Sequence, residues 1–413
     1  MIAANEKQEA SLPPLAMAYT RQDAVSLLTG GPACRGAVAM TPDALAALKD
    51  THMPAITSTR HLDDKAHARI VARVRRLERA CRKTLSDRSD IPETVRITVL
   101  SDLHYLCASV FALWFLLGPK GPWLVPDASG EWHQLASRHD ALGALVAHLR
   151  RVGAPVRTWL RLPLAGRLVR PLNRFFARFS GRARCLATSG CSYGMGNLAE
   201  TLVQRHSLSM LEIRGATGTW RDLAHPIRSC LQMLRGNAVA TIIAAPEPEP
   251  ALVRELEAWW PTIPDAVALT GLQTYRQDVV REAALTQAET AEMGRLLEAA
   301  ACRAVVLNTL HWGADVALAE AAGRRGIPRF LISHGTHAPG GTIAADTEQR
   351  ALADGQLVSR LADTAICQSP HADALAARML PDGARRSFRP TMWGYKDLPE
   401  RAGETTTRRI LHA

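Results

Sequence analysis

Aromatic side chains are scarce in this chain: phenylalanine, tryptophan and tyrosine make up 5% of 413 residues. Modules that read single-stranded RNA stack bases on sheet aromatics within recognisable motifs, and none stands here, so nucleic acid is not an expected partner. None of the eight cysteines falls in a C-x-x-C pair, and no Cys/His cluster has ligand spacing. No metal site is expected on that pattern. The first eleven residues are polar and lack the apolar core of a secretory signal. The reading is therefore cytoplasmic, with buried, inert thiols rather than disulfides. The apolar run over 103–117 carries His104 and falls short of the roughly 20 residues that span a bilayer. It is read as a core helix.

What is present is enough apolar residue, 47% of the chain, for a full core. Short apolar runs alternate with helical patterns. Strands are expected over 36–40, 54–57, 95–100, 123–125, 184–188, 209–213, 239–245, 304–307, 329–333 and 364–368. Helices are expected over 63–85, 103–117, 197–205 and 314–325, with Ile70, Val71, Val74, Leu77 and Cys81 on one stripe of the first. Ser101 and Asp102, after the expected 95–100 strand, are candidate helix caps. Such alternation implies an α/β fold of parallel sheets with helices on both faces. Four regions are expected: an α/β region over 1–149, a basic segment over 150–184, a second α/β region over 185–400, and the beginning of a further domain over 401–413.

The net charge of +11 is concentrated in one place. Residues 150–184 hold ten arginines and no Asp, Glu or Lys. Arg167, Arg170, Arg174 and Arg178 interleave with apolar residues that include Phe175 and Phe176. A helix with one basic and one apolar face suits the surface of an anionic membrane, and a solvated basic helix against the core is the plainer alternative. The membrane reading puts the protein at the inner face of the bilayer.

The sharpest local signal is Gly326-Ile327-Pro328, a strand, then Ser333-His334-Gly335-Thr336-His337. Gly326 can end the Ala-rich helix before it, and the strand delivers His334 to its carboxyl end, where open α/β sheets bind ligands. An imidazole there can move a proton or contact a phosphate. Gly335 lets backbone approach a ligand. This segment, with Ala365-Ile366-Cys367-Gln368-Ser369 and Arg389-Pro390-Thr391-Met392-Trp393-Gly394, resembles bacterial capsule and lipopolysaccharide glycosyltransferases of the Kdo-transferase-like or glycerophosphotransferase-like kind. The likeness covers roughly residues 300–413. It implies a GT-B-like pair of Rossmann domains, the second cut short, and a nucleotide sugar as donor with no other cofactor. It also implies a surface polysaccharide or lipid-linked glycan as acceptor.

A second signal competes. Gly190, Gly194 and Gly196 follow the 184–188 strand, with Glu212 at the end of the next one. This resembles the cofactor loop of NAD(P)-dependent short-chain dehydrogenases. No tyrosine is followed four residues later by lysine, however, as those enzymes require. The glycines can equally line a sugar site or make a plain turn. Smaller candidates are Asn308 and His311 after the 304–307 strand, and Arg214 beside Glu212, where a guanidinium can hold a phosphate or sugar acid. The expectation is a glycosyltransferase with His334 as proton shuttle or phosphate contact and Asp102 or Glu212 as its carboxylate. A dehydrogenase, or a non-catalytic membrane-associated subunit, are the alternatives.

Overall fold

The computed structural model describes residues 13–49, 54–57, 63–127, 129–153, 184–189, 208–215, 239–244, 247–311, 313–333 and 342–388. Two sheets organise them. The first draws on β1 (Leu15–Ala18), β2 (Gly36–Ala39), β3 (Ala55–Thr57), β4 (Trp123–Pro126) and β5 (Trp132–Leu135), in the order β3-β2-β1-β4-β5. All its pairings are parallel except the β4–β5 hairpin. Helix α1 (Arg21–Gly30) connects β1 to β2, and α2 (Pro42–Lys49) connects β2 to β3. Thr20 and Asp23 form a reciprocal capping box that starts α1.

The second sheet contains β6 (Arg184–Thr188), β7 (Leu208–Gly215), β8 (Val239–Ala244), β9 (Cys302–Leu307), β10 (Arg329–Ile332), β11 (Thr364–Cys367) and β12 (Arg385–Phe388). Its order is β12-β11-β10-β9-β6-β7-β8, and every pairing is parallel. The chain winds outward from β6 to β8, returns to β9 on the other side of β6, and winds outward again to β12. This is the doubly wound, Rossmann-like α/β arrangement, with its order reversing between β6 and β9.

Between the sheets lies a helical layer. Helix α3 (Asp64–Ser86) begins at Asp63, whose side chain accepts from the Ala66 amide. Its expected stripe of Ile70, Val71, Val74, Leu77 and Cys81 is buried. Helix α4 (Glu93–Leu117) corrects the expectation of a strand over 95–100: that segment is the first part of one continuous helix. The apolar positions explain why. Ile91, Val95, Val99, Leu103, Cys107 and Val110 recur every three or four residues and are all buried. That stripe runs unbroken through the β-branched stretch, so tertiary burial overrides local strand propensity. At 25 residues α4 is long and apolar enough to cross a membrane by length and composition, although many of its side chains are packed inside the protein.

Helix α5 (Arg138–Gly153) packs on α4 and β4. Helices α6 (Pro250–Trp259), α7 (Ala266–Leu272) and α8 (Arg276–Ala299) then complete a core shared with α3 and α4. Trp259 and Trp260 are fully buried there, with Trp259 Nε1 donating to Thr84 Oγ1 at 3.0 Å. Helix α9 (Gly313–Gly323) lies against α8, and its alanines at 317, 319, 321 and 322 are buried completely. Gly326 ends the segment in the left-handed region, at φ 65°. Helix α10 (Ile343–Gln356) crosses to pack on α3, and α11 (Pro370–Met379) joins β11 to β12. Of the described cysteines, all but Cys34 are buried and none is in a disulfide. Burial pushes the Cys81 thiol up to about 12 and the Cys367 thiol to about 11.

Candidate functional site

In a doubly wound sheet the two strands flanking the reversal send their following loops to opposite faces, which opens a crevice at their carboxyl ends. Here those ends are Thr188-Ser189 of β6 and Leu307-Asn308-Thr309 of β9. Asn308, Thr309, His311 and Ser333 are all buried. The placement of Asn308 and His311 beyond β9 agrees with the sequence reading.

The Ser189 hydroxyl donates to Asp315, in the first turn of α9. Desolvation pushes the Asp315 carboxyl up to about 7, against the lowering effect of the Ser189 bond. A helix N-terminus favours an anion by about 0.3–1 kcal/mol, less than one pKa unit. The carboxyl is raised all the same, so desolvation outweighs both the helix N-terminus and the Ser189 bond. Asp102 behaves alike: burial, helped by the charge of Glu282 on α8, pushes it up to about 8. It does not cap a helix after a strand, as expected, but projects from the middle of α4. Glu282 also lies near the start of α9, because a Cβ on Gly313 would come within 3.5 Å of its Oε1 and 2.6 Å of Thr286 Oγ1. Carboxyl groups that hold protons near neutral pH therefore stand on both α4 and α9 beside the crevice.

One turn of α4 reaches from this crevice into a cleft of about 370 Å³. The Tyr105 ring stands edge-on to His104 at 5.4 Å and to His311 at 6.1 Å. His104 Nδ1 lies 2.5 Å from Glu78 Oε1 on α3. His311 Nε2 lies 3.2 Å from the Leu352 carbonyl oxygen, and the Leu310 amide donates to the Gly355 carbonyl. Gly355 has φ 101°, and a Cβ there would come within 2.8 Å of the His311 ring. Only glycine lets the α10 segment close on the β9 loop.

Glu212 does not end its strand, as expected. It sits inside β7, level with Thr188 and buried, while the strand continues to Gly215. Arg214 belongs to the same strand, and its side chain is outside the described residues. Gly190, Gly194, Gly196, His334, Gly335, Thr336 and His337 also lie outside them. So do Arg167, Arg170, Arg174, Arg178, Phe175 and Phe176, the helix expected over 197–205, and residues 389–413. Sequence reasoning missed Asp315, Glu78 and the role of Tyr105. Asp315 follows Asn308 by seven residues and offered a usable signal, an acid in the first turn of the helix after β9. Glu78 offered none, because it reaches His104 only through the packing of α3 on α4.

The first sheet has its own reversal, between β1 and β4. There His148 Nε2 lies 3.1 Å from Asp23 Oδ2 and its Nδ1 lies 2.8 Å from the Asp127 carbonyl oxygen, with His148 2% and Asp23 4% exposed. Burial alone would lower the His148 pKa, but its bonds to Asp23 and Asp127 raise it; Asp23, opposed by the same burial, is lowered by His148 and Thr20. On the hairpin beyond, Asp127, Glu131 and His133 bring ligand atoms within 4.8 Å of one another. Asp127 Oδ1 already accepts from the Ser129 amide and hydroxyl and the Glu131 amide. This hairpin is adequately explained as a turn.

Comparison with protein-family models gave no match, and comparison with curated proteins gave none either.

Proposed function

We propose that this protein is a glycosyltransferase that binds a nucleotide-activated sugar in the β6/β9 crevice and passes the sugar to a surface or lipid-linked glycan. The observation that carries this reading is the reversal of strand order between β6 and β9, with a carboxyl group of near-neutral pKa at its mouth. Such crevices hold phosphate and ribose groups against strand ends and helix N-termini. Group transfer from a sugar nucleotide needs a proton acceptor for the incoming hydroxyl and donors for the leaving phosphate. Asp315, protonated below about pH 7, is a donor at the crevice, and Asp102 is a second proton-holding carboxyl on the facing helix.

Release of nucleotide from a panel of nucleotide sugars tests this reading. Turnover is expected with at least one donor, with a pH limb near 7 that Asp315→Asn removes. No turnover and no binding across the panel would end it.

A second reading has one observation in its favour. β6 is the strand from which the winding starts, so the glycines at 190, 194 and 196 follow the strand where a dinucleotide loop belongs. Binding of NAD(P) in preference to every nucleotide sugar would favour an oxidoreductase.

A further inference from the structure

The cleft that begins at His311 continues as a groove along α4 from Tyr105 back to Glu93. Twelve helical rises make that about 18 Å. Its walls are α3 on one side and residues 351–360 on the other. The two ends differ chemically. At the His311 end stands the Glu78–His104 pair, 17% and 15% exposed. A carboxylate on Nδ1 keeps the proton there and leaves Nε2 as a base, and His104 makes no other hydrogen bond among the described residues. Towards the Glu93 end, Arg82 on α3 and Arg360 both line the groove, exposed and without an ion-pair partner among the described residues. The other charges there are mostly spoken for: Arg75 pairs with Glu78, and Glu93 pairs with Arg96. Among the described residues lining the groove, Asp354 is the one carboxylate outside an ion pair, and Arg360 also borders a neighbouring cavity with Asp363 and Asp382.

We infer that this groove is the acceptor site, and that its ligand is an acidic glycan: a sugar chain carrying carboxylate or phosphate groups. An extended polar groove with an aromatic ring in its wall suits successive sugar rings. Two unneutralised guanidiniums favour an oxyanion through forked hydrogen bonds. The chemistry assigned to His104 rests on the transferase reading. The acceptor hydroxyl oxygen bonds to the anomeric carbon of the donor. The bond from that carbon to the nucleotide phosphate oxygen breaks, and the nucleotide leaves with the electron pair. The hydroxyl proton passes to His104 Nε2.

The test is calorimetric titration of the full chain, wild type and Arg82→Gln/Arg360→Gln, with trigalacturonate, glucose 6-phosphate and maltotriose. At least one acidic ligand is expected to bind more than tenfold tighter than maltotriose. The double variant should lose that binding at least tenfold while its thermal midpoint is unchanged. Which acidic ligand responds separates carboxylate from phosphate. His104→Gln should keep the binding but lower the transfer rate about a hundredfold or more. Equal binding of acidic and neutral ligands, undiminished binding by the double variant, or no binding at all would overturn the site. A nucleotide sugar titrated into the same samples separates the two ideas. Arginine-dependent binding of an acidic ligand without any nucleotide-sugar binding leaves the groove standing and fells the transferase.

Discussion

The two sheets use the same topological device to opposite ends. In each, strand order reverses beside the first strand, between β1 and β4 in one and between β6 and β9 in the other. The first reversal is sealed by the protein's own charges, Asp23 and His148, which satisfy each other, cap α1 and hold the β4–β5 hairpin. The second is left with a carboxyl group that burial keeps protonated to about pH 7, and a cleft that opens past His311. One crevice has been closed for stability, and the other keeps an unspent electrostatic cost of the kind that marks functional sites.

The sharpest way to break this comparison is to open the sealed crevice. His148→Ala leaves the buried Asp23 carboxylate with only the Tyr19 and Thr20 amides as donors, and removal of one member of a buried pair costs up to about 3–5 kcal/mol. Urea unfolding of the variant at neutral pH measures it. The pair also sets a pH window. His148 has a raised pKa, so its contribution is complete below 6.5 and is lost as pH rises through the raised value. Asp23 has a lowered pKa, so its contribution is complete above 3.8 and is lost as pH falls through the lowered value. Stability should therefore show a bell between those limits that His148→Ala flattens.

A smaller loss is expected at the open crevice from Gly355→Ala. The added methyl meets the His311 ring in a backbone conformation that favours glycine, so a cost of about 1–3 kcal/mol is expected, with the His311 ring displaced. Thermal unfolding and the His311 NMR signals check both effects. The last effect has the opposite sign. Because Asp315 holds a proton in the folded state that the unfolded chain releases above pH 3.8, wild-type stability falls from there to about pH 7. Asp315→Asn should remove that fall and leave the variant at least as stable as the wild type at pH 8. A destabilised variant at pH 8 would place Asp315 among the structural groups, with His148.

Much of the fold was legible because the strands of the second sheet, the polar edge strand β12 apart, are short runs rich in apolar residues. The segments 184–188, 304–307 and 364–367 read directly, and so did the buried stripe of α3. The stretch 95–100 misled because Val95, Ile97 and Val99 alternate like a strand, while the longer stripe that makes it helix is visible only across the whole of α4. Helices α7 and α8 and the strands β1, β5 and β12 went unread, β5 because the exposed His133 and Gln134 carry no strand signal and β12 because its residues are mostly polar. At the site, residues adjacent in sequence to strand ends were found and those brought in by packing were not. Asn308 and His311 could be read from β9, whereas Glu78 meets His104 only where α3 packs on α4; Asp102 was named from the sequence, but as a residue at a strand end rather than one within α4 near Glu282 of α8.

Hydrogen–deuterium exchange with a saturating nucleotide sugar tests the contrast between the crevices most directly. The account predicts slowed exchange in peptides covering 184–189 and 302–320, with no change across 123–148. Protection confined to the β1/β4 crevice, or spread equally over both, would contradict it.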